Sequence, residues 1–147
     1  MTKKILLWIL VIFWIGLIFF FSSFNGEDST RQSRGLLHST LDKIIEVVKP
    51  SMDETEKELL IEKLDPIVRK LAHASEFFIL AIFVYLLLKE YNVNKIYLIT
   101  FIICFLYACS DEFHQIFVIE RTGKVLDVLI DSFGSIISIL IIKKIVK

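Results

Sequence analysis

The chain has 147 residues, 55% of them hydrophobic, and its mean hydropathy is +0.67. A soluble domain of this size is usually about 45–50% apolar. Here the excess lies in blocks, which is typical of bilayer-spanning helices rather than of a larger soluble core. With 17 basic and 17 acidic residues the formal net charge is zero, so the composition favours neither nucleic acid nor an anionic surface as a partner.

Four apolar segments are long enough to cross the hydrocarbon core, which requires about 20 helical residues. The first follows Lys3 and Lys4 and is not followed by a signal-peptide cleavage motif, so we interpret it as an uncleaved membrane helix. Asp65 and Pro66 form an N-cap and N1 pair, which predicts that the second helix begins there. The four predicted spans are residues 5–21, 66–88, 96–110 and 125–142.

The segment 22–65, between the first two spans, is polar but has its own helical pattern. Apolar residues at 36, 37, 41, 44, 45 and 48 follow the rhythm of an amphipathic helix, which we expect to stop at Pro50. Ser51 and Glu54 then have the spacing of a capping box, which predicts a shorter helix to about Leu64. The sequence therefore predicts one all-α domain over residues 1–147, a polytopic membrane protein with four transmembrane helices and an extracytoplasmic amphipathic helical segment between the first two.

The distribution of basic residues predicts the orientation. The two termini and the loop 89–95 carry seven Lys and Arg residues against one acid, Glu90. The other loops and the adjoining helix ends carry ten basic and sixteen acidic residues. By the positive-inside rule both termini are expected in the cytoplasm, and the segments 22–65 and 111–124 outside a bacterial plasma membrane.

Polar residues of three predicted spans converge at the same depth in this topology. Positions 69, 73 and 76 share one face of the second helix, and positions 111, 114 and 115 share one face of the third. Positions 127 and 131 are one turn apart on the fourth helix, and Gly134 continues their stripe. Because carboxylates in the bilayer are costly unless they face one another or water, we expect a polar pocket in the outer leaflet.

The pocket hypothesis assigns two sets of residues. The candidate catalytic residues are His73, Glu76, Asp111, Glu112, His114 and Asp131. The candidate substrate-binding residues are Arg69, Lys70, Gln115, Arg121 and Asp127. The alternative is a buried network of ion pairs that only fixes helix register.

Charge counting leaves two negative charges without a partner in this region. Its carboxylates are Glu76, Asp111, Glu112, Glu120, Asp127 and Asp131, and its fixed cations are Arg69, Lys70, Arg121 and Lys124. Protonated histidines, protonated carboxyls or a bound divalent cation would each restore neutrality. We assign no metal ligands, because the histidines lack the i, i+4 spacing of helical zinc sites, and the sequence identifies no cofactor.

Three stretches resemble the VanZ-like family of small bacterial membrane proteins, named for a teicoplanin-resistance protein. They are "FSS" at 21–23, "RKLAHASEFFILA" at 69–81 and "YACSDEFHQIFVIERTGKVLDVLIDSFGS" at 107–135. Members commonly have a Pro-Gly-Arg-like turn after the phenylalanine, whereas this chain has "VIERTG" and keeps Arg121. The resemblance implies a multi-helix integral membrane protein and a link to lowered teicoplanin susceptibility, without naming a reaction.

Three functions remain open from the sequence. In the first, an envelope protein binds a lipid-linked cell-wall component or another anionic lipid, with arginines holding phosphate or carboxylate groups. In the second, a membrane-embedded hydrolase or transferase acts on a lipid-linked phosphate or peptide, with a histidine as general base or nucleophile. In the third, the carboxylates serve a proton- or cation-coupled carrier. This function is the least favoured, because four short spans form only a small pathway. The sequence does not specify the oligomeric state.

Overall fold

The computed structural model describes residues 2–48 and 52–146, and these form five helices without a strand. Pro50 and Ser51, which were expected to end one helix and cap the next, lie outside the described residues. The predicted all-α class is confirmed. The helices are α1 (Thr2–Ser22), α2 (Gly26–Val48), α3 (Glu54–Glu90), α4 (Ile96–Gln115) and α5 (Val125–Ile145).

Four helices, α1, α3, α4 and α5, are long and apolar enough to cross a membrane. Their outward faces carry large apolar side chains, for example Phe13 and Phe20 of α1, which suit contact with lipid. α2 has the polar, amphipathic composition expected of a helix outside the hydrocarbon core. The four predicted spans therefore correspond to four observed helices.

The start of the second span differs from the prediction. α3 begins at Glu54, with Asp53 as its N-cap, and continues through Pro66 as one helix of 37 residues. Asp65 is therefore inside the helix and caps nothing. Proline removes one backbone hydrogen bond, but membrane helices tolerate it when neighbouring groups satisfy the freed carbonyl. The polar first part of α3 packs against α2, where Leu37 and Ile61 are buried.

The bundle core is apolar where α1, α3 and α4 meet. Phe77, Leu80 and Ala81 of α3 are fully buried there, together with Ile18 of α1 and Cys104 of α4. Two side-chain bonds to backbone carbonyls tie these helices together. Trp14 Nε1 donates to Glu76 O at 2.9 Å, and Tyr107 Oη donates to Ile15 O at 2.7 Å.

α5 packs on α3 through small residues. A Cβ on Gly134 would collide with the carbonyl oxygen of Ala74, so glycine is needed for this backbone approach. Ser135 is fully buried and its Oγ donates to Phe77 O at 3.3 Å. Small residues commonly allow membrane helices to approach closely. This contact sets the position of Asp131, one turn before Gly134, against α3.

Candidate functional site

A cavity of about 240 Å³ lies among α2, α3, α4, α5 and the loop 116–124. It lies at the end of the bundle where α4 ends and α5 begins, the end that the distribution of basic residues predicts to be external. Its lining residues are Gly26, Ser29, Pro66, Arg69, Lys70, His73, Glu112, Gln115, Glu120, Arg121, Thr122, Lys124, Asp127, Ile130 and Asp131.

Eight of the eleven predicted site residues line this cavity, and three do not. The three others are Glu76, Asp111 and His114. Glu76 lies behind His73, with its Oε2 atom 3.3 Å from His73 Nδ1. Asp111 is 2% exposed and lies behind Gln115. The ring of His114 packs on Phe19, with 4.4 Å between the ring centroids.

α3 contributes two cations to the cavity, and each has a carboxylate nearby. Arg69 Nε lies 3.7 Å from Asp65 Oδ2, and one of its terminal nitrogens donates to Thr30 Oγ1 at 3.1 Å. Lys70 Nζ lies 3.1 Å from Asp127 Oδ1, which links α3 to α5. Arg69 therefore has a long ion pair and N–H groups left to donate to a ligand, whereas the Lys70 ammonium group lies closer to its carboxylate partner.

His73 lines the cavity and has one buried ring nitrogen. Its Nδ1 atom lies 3.3 Å from Glu76 Oε2, while the side chain as a whole is 25% exposed. Nε2 is therefore the ring nitrogen that Glu76 does not contact. A carboxylate beside Nδ1 favours the tautomer that carries its proton there and leaves the Nε2 lone pair free.

A chain of hydrogen bonds runs from α1 to Arg121. Ser22 Oγ donates to Asp111 Oδ2 at 2.7 Å, and Gln115 Nε2 donates to the same carboxylate oxygen at 3.0 Å. Because the Gln115 amide nitrogen is used in this way, its oxygen faces the loop and accepts a bond from Arg121 at 3.1 Å. The amide thus fixes the guanidinium in place without neutralising it.

Arg121 lines the cavity without a close ion-pair partner among the described residues. Within residues 2–48 and 52–146 no carboxylate lies within 4.0 Å of its side-chain nitrogens. Burial lowers the pKa of the Arg121 guanidinium, and repulsion from Arg69 lowers it further, although more distant carboxylates oppose both effects. Two guanidinium groups thus lie close enough to repel each other. An anion between them would relieve that repulsion.

The loop 116–124 is held in place at its middle and at its C-terminal end. Glu112 Oε1 accepts a bond from the Lys124 backbone N–H at 2.6 Å, and Glu120 Oε2 accepts one from the Glu27 N–H at 3.2 Å. A Cβ on Gly26 would lie 2.6 Å from Glu120 O, so the start of α2 packs directly against the loop. Glu120 itself has a φ of 60°, a left-handed conformation that is uncommon outside glycine. These contacts aim Arg121 at the cavity.

Asp131 forms the innermost acidic part of the lining. It is 3% exposed, and in the described part of the chain no hydrogen bond to its carboxylate is found. It interacts electrostatically with His73 and, as a like charge, with Glu76, Asp111 and Glu112. Its carboxylate is therefore available to a proton, a water molecule or a ligand.

The charges that line the cavity balance. Four cations, Arg69, Lys70, Arg121 and Lys124, face four carboxylates, Glu112, Glu120, Asp127 and Asp131. The two excess negative charges counted in the sequence belong to Glu76 and Asp111, behind the lining. Among the described residues, no group of three or more His, Cys, Asp or Glu side chains is arranged to hold a metal ion.

Sequence reasoning missed the supporting residues of the site. Ser22 is fully buried and bonded to Asp111, whereas the sequence left open whether the serines at 22–23 contribute hydroxyls to the site or only end the first helix. The local sequence predicts Asp65 as a helix N-cap. In the structure one of its carboxylate oxygens pairs with Arg69 and the other accepts a hydrogen bond from Ser33. The signal that was present for Ser22 is its position among the stretches that carry the family resemblance.

A family model described as VanZ/LLP1 matches residues 7–147, nearly the whole chain. A search of curated proteins and a search of solved structures each gave no match. The matched region includes all five helices except the first turn of α1, and it contains every residue of the cavity. The chain therefore belongs to the VanZ/LLP1 family and is a multi-pass membrane protein.

Proposed function

We propose that this protein binds the anionic headgroup of a lipid-linked cell-envelope component, with the lipid chain remaining in the bilayer. The observation that carries the proposal is the pair of arginines, Arg69 and Arg121, that line one cavity, with no carboxylate within 4.0 Å of Arg121 in the described residues and only a 3.7 Å pair at Arg69. Arginine forks match phosphate and carboxylate oxygens, which supports an anion as the ligand.

The size of the cavity supports a headgroup as the part that enters. Its volume of about 240 Å³ is below the roughly 300–1,000 Å³ of pockets that enclose a drug-sized molecule. A phosphate with part of its substituent fits such a volume, whereas a long isoprenoid or acyl chain does not. The neighbouring side chains Phe113, Ile116 and Phe117 are exposed and apolar, which suits contact with that chain.

The proposed setting is the outer leaflet of a bacterial plasma membrane, with both termini in the cytoplasm. A protein that holds a cell-wall precursor there would change what a glycopeptide antibiotic meets at the surface. We therefore propose lowered susceptibility to teicoplanin as a consequence of binding. An undecaprenyl-type lipid or another anionic lipid is the expected ligand class.

Lipid identification tests the binding proposal. Wild type, Arg121→Gln and Arg34→Gln are purified from the same membranes, and the bound lipids are extracted and identified by mass spectrometry. Arg34 is the matched control, because it is an exposed arginine of α2 that does not line the cavity. We expect an anionic lipid enriched over the bulk membrane in wild type and in Arg34→Gln, and lost in Arg121→Gln. Recovery of bulk lipids alone from wild type would contradict the proposal.

The expected size of the effect follows from the contact removed. A hydrogen bond to a charged group contributes about 1.5–3 kcal/mol, which corresponds to a loss of affinity of roughly 10- to 150-fold. Membrane abundance and thermal unfolding of each variant establish that the fold is kept. In cells, the same variants are compared for teicoplanin susceptibility, and only Arg121→Gln is expected to resemble the deletion strain.

The second candidate function is a membrane-embedded hydrolase or transferase that acts on a lipid-linked phosphate or peptide. The contact between His73 Nδ1 and Glu76 favours it, because a carboxylate that orients a histidine is the arrangement of many general bases and nucleophiles. Since His114 packs on Phe19 instead of lining the cavity, His73 is the histidine proposed for this role.

A further inference from the structure

We infer that the cavity cleaves a lipid diphosphate, with His73 as the nucleophile that takes up the terminal phosphoryl group. This inference rests on the anion binding proposed above and adds a substrate class and a reaction to it. It follows from the position of His73 relative to the two guanidinium groups.

The orientation of the His73 ring suits nucleophilic attack. His73 lines the cavity and Glu76 Oε2 lies 3.3 Å from its buried Nδ1, so Nε2 is the ring nitrogen left to act as the nucleophile. When Nε2 forms a bond to phosphorus, the ring acquires a positive charge. The Glu76 carboxylate is placed to stabilise that charge, as a buried acid does for other catalytic histidines.

The cations are placed around the same volume as Nε2. Arg69 lies one helical turn before His73 on the same face of α3. Arg121, on the loop 116–124, lines the same cavity as Arg69 and His73. Phosphoryl transfer is catalysed mainly by positioning the nucleophile and stabilising the charge on the phosphoryl oxygens, which two arginines can do.

A diphosphate fits the lining better than a monophosphate. Lys124 lines the cavity, and within the described residues no carboxylate lies within 4.0 Å of its ammonium group, so a third cation is available for a second phosphate. The chemistry points the same way. An alkoxide leaving group would need a proton donor at the bridging oxygen, whereas a phosphate leaving group is stable as it departs.

The reaction proceeds in two balanced steps. In the first, the Nε2 lone pair attacks the terminal phosphorus, and the bond from that phosphorus to the bridging oxygen breaks with its electron pair. The lipid monophosphate leaves. In the second, water attacks the phosphorus, the N–P bond breaks and its electrons return to Nε2. The proton of the attacking water passes to the Asp131 carboxylate, and inorganic phosphate is released.

A labelled substrate tests the inference directly. Purified full-length protein is mixed with farnesyl diphosphate that carries ³²P in its terminal phosphate, and the mixture is quenched in alkali, in which phosphohistidine is stable. We expect ³²P on His73 of the wild type and release of labelled inorganic phosphate. His73→Gln is expected to lose the label, and its rate of phosphate release is expected to fall by at least about 100-fold. His38→Gln is the matched control and keeps both activities, because His38 pairs with Glu58 and does not line the cavity.

The outcomes separate the inference from the proposed function. Wild type that binds farnesyl diphosphate, but releases no phosphate and carries no label, overturns the inference and leaves anion binding intact. If the wild type binds neither farnesyl diphosphate nor any other anionic lipid, both the inference and the proposed function are wrong. If His73→Gln fails to fold, peptide mapping of the ³²P label on the wild type decides, and a label at any other residue contradicts the inference.

Discussion

The contact between Gly134 and Ala74 allows a quantitative test of how α5 positions the cavity. A Cβ on Gly134 would collide with Ala74 O and would lie 2.9 Å from its carbonyl carbon and 3.1 Å from its Cα. These are backbone atoms of a helix, so no side-chain rotation relieves the overlap. Gly134→Ala must therefore move α5 away from α3, and overpacking of this kind costs about 1–3 kcal/mol.

Gly16→Ala is the matched control for this perturbation. Gly16 is also inside a helix, and nothing lies within 4 Å of the Cβ that alanine would add. Both substitutions gain the same helix propensity, about 1 kcal/mol. The difference in unfolding free energy between the two variants is therefore the steric cost alone, about 1–3 kcal/mol.

The assay is unfolding in detergent micelles, followed by the fluorescence of Trp8 and Trp14. We expect Gly134→Ala to unfold more easily than Gly16→Ala and to bind anionic lipid more weakly, because displacement of α5 moves Asp131 and Asp127 relative to α3. Equal unfolding free energies for the two variants would refute the packing argument.

Three further predictions concern the supporting contacts and the orientation. Gln115→Leu should weaken binding of anionic lipid roughly tenfold, measured by lipid titration, because Arg121 loses the amide that holds it. Ser22→Ala should lower the free energy of unfolding by about 1–3 kcal/mol, because it removes the hydroxyl that donates to the buried Asp111. Ser23→Ala is the control and should have little effect, because the Ser23 hydroxyl donates only to the Phe19 carbonyl one turn earlier. A fluorescent protein fused to the C-terminus should fluoresce and alkaline phosphatase fused there should be inactive, and the reverse pattern would contradict cytoplasmic termini.

The helical class was predictable because its signals are local. Each membrane helix is a long apolar run, and the length of such a run is sufficient to identify it. The family was predictable because the acidic, histidine and glycine positions of residues 107–135 occur in one continuous stretch, and the match over residues 7–147 confirms that prediction. Neither inference needed any knowledge of how the helices pack.

The continuity of α3 was not predictable from local signals. Asp65 and Pro66 are good first residues of a helix, but the same pair is accepted inside a helix when packing supports it. Here Asp65 is buried and paired with Arg69, and α2 packs alongside. Whether a proline begins a helix or interrupts one is therefore decided by tertiary contacts.

Helical periodicity identified most of the residues that line the cavity but did not separate them from the residues behind the lining. Asp111, His114 and Gln115 share one face of α4 by spacing, yet the structure gives them different neighbours. Asp111 and His114 contact Ser22 and Phe19 of α1, whereas Gln115 also bonds Arg121 of the loop 116–124. The spacing along α4 does not show which of these neighbours each residue meets.

The arrangement of acids behind the lining suggests how the cavity keeps its cations available. Asp111 acts on Arg121 through the neutral amide of Gln115, and Glu76 acts on His73 at the nitrogen that faces away from the cavity. In both cases the carboxylate fixes the group without occupying its ligand-facing side. A direct ion pair would hold the guanidinium as firmly but would compete with an incoming anion. The two carboxylates counted as excess in the sequence therefore support the groups proposed to bind the anion. Replacing either with an apolar residue should weaken anion binding even though it removes a negative charge from the site.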